Sequence, residues 1–250
     1  MNFASIQISV IAFVPALVLC YYVYRKDRVE KEPLRLLALL FAAGMLAYIP
    51  AVYGEHFLIG KIDNMFAAQM QYSLEGVLQF QTTKAMWAHH ALCAFAGTAL
   101  VEETIKWALL LLLTYKNDEF DCLFDGIVYA TFVSLGFAAV ENIRYALLDG
   151  WDTLVLRTVT SVPGHLVFGV FMGCCYTMWR MHVQERNKGI SALWLMLSYV
   201  LPIVVHGIYS FTNSQISETM NKVFYAFIIL MYVLCFICVN YMSERDSKIR

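Results

Sequence analysis

With 250 residues, 60% of them hydrophobic and 15% charged, the chain departs from soluble domains, which are nearer half apolar and a quarter charged. Its apolar residues fall in long runs, and a formal net charge of −1 excludes the basic balance of a nucleic-acid binder. The seven cysteines are odd in number and lie mostly inside apolar runs, where they read as small hydrophobes; Cys235 and Cys238 have no polar company that would suit redox work.

Runs long enough to cross a bilayer occur at approximately 7–24, 34–53, 88–115, 123–147, 156–180, 191–212 and 222–242. They predict an all-α, polytopic membrane helix bundle of about seven transmembrane helices. The first run has no preceding basic residue and no A-x-A site, so it reads as a retained helix. Placing the basic connections inside puts twelve Lys and Arg on one face and five on the other, which predicts the N-terminus out and the C-terminus cytoplasmic. The expected setting is multi-pass in the cell membrane, with the lipid bilayer as partner. The expected organisation is one membrane-embedded domain over 1–250, with a catalytic core over about 88–212. The segment 54–87 reads as an outer connection with a short interfacial helix, and His89 and His90, beside Trp87, as interfacial residues.

Ionisable residues stand inside four of these runs. In the third, Glu102, Glu103 and Lys106 follow Ala94–Leu100 and precede Trp107–Leu113. Three charges at mid-membrane cost on the order of 8–10 kcal/mol unless paired or neutralised, so they read as a functional site. Lys106 is four residues from Glu102 and three from Glu103, within reach of either. Ala96 and Ala99 lie behind Glu103, a face that admits a neighbouring helix. The fourth run brings Glu141 with Ser134 and Ala138 on its face. The fifth brings His165, followed by Gly169 and Gly173 at GxxxG spacing, with Pro163-Gly164 expected to loosen the helix before it. The sixth brings His206 between Pro202 and Gly207.

Counting residues from the expected outer ends places Glu141, His165 and His206 roughly 9–13 Å deep, with Glu102 and Glu103 somewhat deeper. Two imidazoles and three carboxylates can then meet in one outward-facing cavity. Imidazoles with a carboxylate form a hydrolytic zinc set, and a further Glu near the bound water can act as general base. Without a metal, a Glu can still activate water while the histidines stabilise an oxyanion. Neither HExxH nor GxSxG is present.

Glu102-Glu103-Thr104-Ile105-Lys106 resembles the EExxK motif of the PrsW-type intramembrane proteases. Phe137-Ala138-Ala139-Val140-Glu141 resembles their FxxxE motif, and Gly164-His165 and His206-Gly207 their two histidine motifs, over roughly 95–210. The family is distantly related to the prenyl-protein (CAAX) endopeptidases and bacteriocin-immunity proteases, which carry EExxxR and FxxxH instead. The resemblance implies an intramembrane endopeptidase cutting membrane-anchored protein substrates, such as anti-sigma-factor-like proteins, near the extracytoplasmic side. It implies Glu102 as the water-activating base, Glu103 as its partner and Lys106 as their counter-charge. Glu141, His165 and His206 would bind Zn2+ or, in a metal-free mechanism, orient water. An ion-coupled transporter and a proteolytically silent helix-binding protein remain alternatives, because intramembrane acids and helix-breaking prolines suit both.

Overall fold

The computed structural model describes residues 3–72, 78–213 and 217–249. It is a helical bundle whose elements run α1 (Phe3–Lys26), α2 (Leu34–Phe66), a hairpin of β1 (Met70–Tyr72) and β2 (Leu78–Phe80), α3 (Thr83–Leu92), a π-helical stretch (Cys93–Ala99), α4 (Leu100–Thr114), α5 (Asp125–Asp149), α6 (Trp151–Val159), α7 (Ser161–Gln184), α8 (Lys188–Thr212) and α9 (Glu218–Glu244). By length and hydropathy, six helical stretches among the described residues are apolar enough to cross a membrane. The rod formed by α3, the π-helix and α4 is as long, and carries the three charges at its centre.

α5 is the central helix. It is apolar nearly all round from Ile127 to Ala139 and buried on every side, as a helix surrounded by others must be. α7, α2 and α1 pack against it. The α5–α7 approach is close because Gly173 lies against the Gly126 carbonyl, where a Cβ would collide with backbone. The expected His165–Gly169–Gly173 contact face is therefore turned to α5. Peripheral helices keep their large apolar side chains outward, among them Leu112 on α4 and Ile229 and Phe236 on α9, a surface suited to lipid tails.

Two expectations are corrected. α2 does not end near residue 53 but runs to Phe66. Glu55, Lys61 and Asp63 interrupt the hydropathy there, yet the helix continues because Ile59 and Ile62 pack against Gly97 of the π-helix. Of the expected interfacial stretch, residues 73–77 lie outside the described residues; on either side of them β1 pairs antiparallel with β2. The fifth run starts earlier than expected, and α6 and α7 form one stretch, Trp151–Gln184, interrupted at Thr160. Pro163 has no N–H for the Val159 carbonyl, which Tyr232 Oη takes instead at 2.9 Å, so the helix is loosened just before His165 as expected.

At the bundle end that carries the first connection, Tyr129 Oη donates to Glu32 Oε2 at 2.7 Å, and the Asp121 and Cys122 amides donate to Asp125 Oδ2. Burial lifts the Glu32 carboxyl from its ordinary 4.5 to about 7. The folded protein then holds a proton that the unfolded chain has already lost, so Glu32 makes stability fall as pH rises from about 4.5 to about 7. Glu32→Gln keeps an acceptor for Tyr129 and removes that titration. Its thermal unfolding midpoint is expected to lie about 2–4 °C above wild type near pH 8 and to match it near pH 5. Parallel pH profiles for the two proteins would refute this.

Candidate active site

The π-helix decides how the acidic helix enters the core. One extra residue per turn rotates everything after it, a device common next to functional sites. It lays Phe95 over Gly207 of α8, so closely that a Cβ at Gly207 would strike the ring. Two polar pins then hold α4 to α8. Trp107 Nε1 donates to Ser198 Oγ at 2.9 Å, and the Thr104 and Tyr199 hydroxyls meet at 2.9 Å.

Glu102, Glu103 and Lys106 consequently face inward, 2%, 0% and 0% exposed. Lys106 Nζ spends its three protons on Glu102 Oε2 at 3.0 Å, Glu103 Oε1 at 2.8 Å and His165 Nδ1 at 3.0 Å. It also lies 4.1 Å from the centre of the Phe137 ring. With Nδ1 accepting, His165 is the Nε2–H tautomer, and that nitrogen donates to Glu141 Oε2 at 2.9 Å. Ser134 Oγ donates to the His165 carbonyl at 2.7 Å and ties α5 to α7 at this point. His206 Nδ1 donates to Glu103 Oε1 at 2.8 Å and lies 4.0 Å from Glu102 Oε2. Phe168 stacks on the His206 ring at 4.5 Å and sets its plane.

All six sequence candidates thus meet in one connected cluster, drawn from α4, α5, α7 and α8. Two members were not anticipated. Arg157 of α6 donates through Nη2 to Glu141 Oε2 at 2.8 Å and to Ser161 Oγ at 2.8 Å, while its Nε is buried without a partner. Glu55, on the unexpected extension of α2, brings its carboxyl into hydrogen-bond contact with Glu102. Glu55 had read as part of the outer connection over 54–87. The available signal for Glu55 was its helical spacing from Ala51 and Ile59.

Of the cluster's four carboxyls, Glu55 and Glu102 share one proton through their hydrogen bond, and with Glu103 and Glu141 they face two permanent cations, Lys106 and Arg157, which leaves one excess negative charge. Such a cluster, enclosed among apolar helices, marks a polytopic membrane protein with ionisable groups gathered inside the bundle. The chain belongs to the PrsW family of intramembrane metalloproteases, whose family model matches residues 32–239.

Among curated relatives, it is similar to Protease PrsW of Oceanobacillus iheyensis, 30% identical over 220 residues that cover 88% of each chain. It is 34% identical to Protease PrsW of Geobacillus kaustophilus over 195 residues, 78% of this chain and 74% of the relative. It is 28% identical to Protease PrsW of Bacillus subtilis over 222 residues, 89% and 88%. No solved structure matches the chain.

The family's description raises the question of a metal. Ligand atoms of Glu102, Glu103 and His165 lie within 4.8 Å of one another, and Glu103 Oε2 is buried without a partner, so the donor types suit zinc. Glu141 joins this group through His165, and His206 joins it through Glu103. The position is nevertheless taken. Lys106 Nζ contacts Glu102 Oε2, Glu103 Oε1 and His165 Nδ1 at 2.8–3.0 Å, so a cation ligated by these three atoms would meet a fixed ammonium. In this arrangement the cluster does not fit a metal.

Proposed function

We propose that the protease is an endopeptidase that hydrolyses a peptide bond of membrane-anchored proteins near the extracytoplasmic side, with water activated by Glu102. The observation that carries this reading is the unequal engagement of the two adjacent acids. Glu103 is fully enclosed and takes hydrogen bonds from Lys106 and His206 on a single oxygen. Glu102 takes one bond from Lys106, and its other partner is the Glu55 carboxyl, itself a proton carrier. Glu103, held by an ammonium and an imidazole, therefore anchors the charge arrangement, and Glu102, paired with a group that can take up a proton, is the acid placed to accept one from water.

Attack on the scissile carbonyl gives a tetrahedral oxyanion. The unpartnered Arg157 Nε–H is a donor held ready for that oxygen, and Glu141 orients the guanidinium. The proton taken by Glu102 then passes to the leaving amine, which closes the cycle. Lys106 and His165 keep the acids and Glu141 in register throughout. The orientation with the N-terminus outside, the seven spans, the core over about 88–212 and an anti-sigma-factor-like substrate are parts of the same proposal. The distribution of Lys and Arg supports the orientation.

Purified protein in lipid nanodiscs, incubated with a panel of single-span proteins, tests the reading. Mass spectrometry of the new termini is expected to place the cut in the outer third of the span. Cleavage confined to the cytoplasmic third, or none across the panel, would overturn it. Arg157→Gln is expected to lower kcat roughly 10²–10³-fold with KM little changed, the signature of a donor used in the transition state. A change in KM alone would remove Arg157 from that role.

A further inference from the structure

A second cluster of metal-ligating side chains lies at the far end of the α3 rod, where α2 ends and the hairpin folds back. His89 and His90 had read as interfacial residues. His89 is instead buried, with Nε2 donating to Asp63 Oδ1 at 2.7 Å, and Phe80 of β2 packs on it at 5.1 Å between ring centres. The other face of the pair converges on sulfur. His89 Nδ1 lies 3.5 Å from His90 Nδ1, and Cys93 Sγ lies 3.8 Å from His89 Nδ1 and 3.7 Å from its Nε2. Ligand atoms of Asp63, His89 and Cys93 all fall within 4.8 Å of one another.

From these positions we infer a divalent transition-metal site of the zinc class, ligated by His89 Nδ1, His90 Nδ1 and Cys93 Sγ, and separate from the catalytic cluster. Zinc bonds of about 2.0–2.3 Å in a tetrahedron place neighbouring ligand atoms about 3.3–3.8 Å apart, and the separations of His89 Nδ1 from His90 Nδ1 and from Cys93 Sγ lie in that range. Two imidazoles and a thiolate are the donor set such metals prefer. Asp63 accepts from the far nitrogen of His89 and so fixes the Nδ1 lone pair toward the metal, the usual carboxylate–histidine–metal relay. The fourth position faces an open groove lined by His90, Cys93, Ala94, Thr98 and Ser210, wide enough for water. Binding would replace the thiol proton by the metal and release it to solvent.

The site has a structural consequence. Cys93 opens the π-helix that leads to Glu102, Asp63 belongs to α2, and Phe80 belongs to the hairpin. The ion therefore fixes the rod where α3 passes into the π-helix, and Asp63 and Phe80, packed on its ligand His89, tie that point to α2 and the hairpin.

Co2+ tests the site because a thiolate ligand produces a sulfur-to-cobalt charge-transfer band that the catalytic cluster, lacking cysteine, cannot give. The full chain is purified in detergent under a phosphine reductant, stripped with chelator and titrated with Co2+. One equivalent is expected to generate the band, and Zn2+ to bleach it. The band is expected to vanish in Cys93→Ser and to persist in Glu103→Gln and in Cys122→Ser. Asp63→Ala, which leaves every ligand in place, is expected to keep the band but weaken Co2+ binding about 10–100-fold. Absence of the band in wild type, or its survival in Cys93→Ser, overturns the proposal. So does Asp63→Ala binding Co2+ as tightly as wild type.

Discussion

Glu102→Gln is expected to slow cleavage of a co-expressed single-span substrate by roughly 10²–10⁴-fold while the protein accumulates and stays monodisperse. The amide still accepts from Lys106 but cannot take a proton from water. The fold is expected to tolerate the change because the cluster carries one more carboxylate than it has permanent cations. Removing a charge at Glu102 brings Glu103 and Glu141 into balance with Lys106 and Arg157. A time course of product formation, normalised to protein in the membrane, is the measurement. Cleavage at the wild-type rate would transfer the base role away from Glu102.

Lys106→Met has the largest expected effect on stability. It leaves Glu102 and Glu103 buried side by side, and His165 without its donor. Breaking a buried ion pair from one side costs about 3–5 kcal/mol, because the abandoned charge keeps its full desolvation penalty. The thermal midpoint in detergent is expected to fall on the order of 10 °C. Adding Glu103→Gln to the same chain removes one abandoned charge and is expected to restore a large part of the loss. If the double variant is no more stable than Lys106→Met, the ammonium is not what holds these carboxylates.

These two expectations rest on different kinds of information. That Lys106 can reach both acids follows from helical spacing, and the structure shows it reaching both. That Glu103 rather than Glu102 also receives His206, and that Glu55 touches Glu102, depends on how α8 and α2 cross α4. The partner of Glu141 makes the same point. Arg144 is nearby in sequence, but the cation bound is Arg157, brought round by the break at Thr160 between α6 and α7. Pro163 marked that place, but not which cation the interruption would bring round.

The amino-acid sequence by itself determined that the chain is a membrane-embedded helical bundle, because runs of apolar residues have one stable solution in lipid. It also determined which charged residues lie in that interior, because a charge within such a run stands out on the energetic scale of the bilayer. The tertiary structure alone decided which of those charges meet. It extended α2 past its apolar run, set the phase of α4 through the π-helix, and put an ammonium among the ligands that composition would give to a metal. It also turned His89 and His90 from the interface into a cluster with Cys93. The physical reason is range. Periodicity reports contacts one turn apart on the same helix, whereas pairings between helices are fixed by crossing angle, register and small-residue contacts such as Gly173 on Gly126, which arise only once the helices pack.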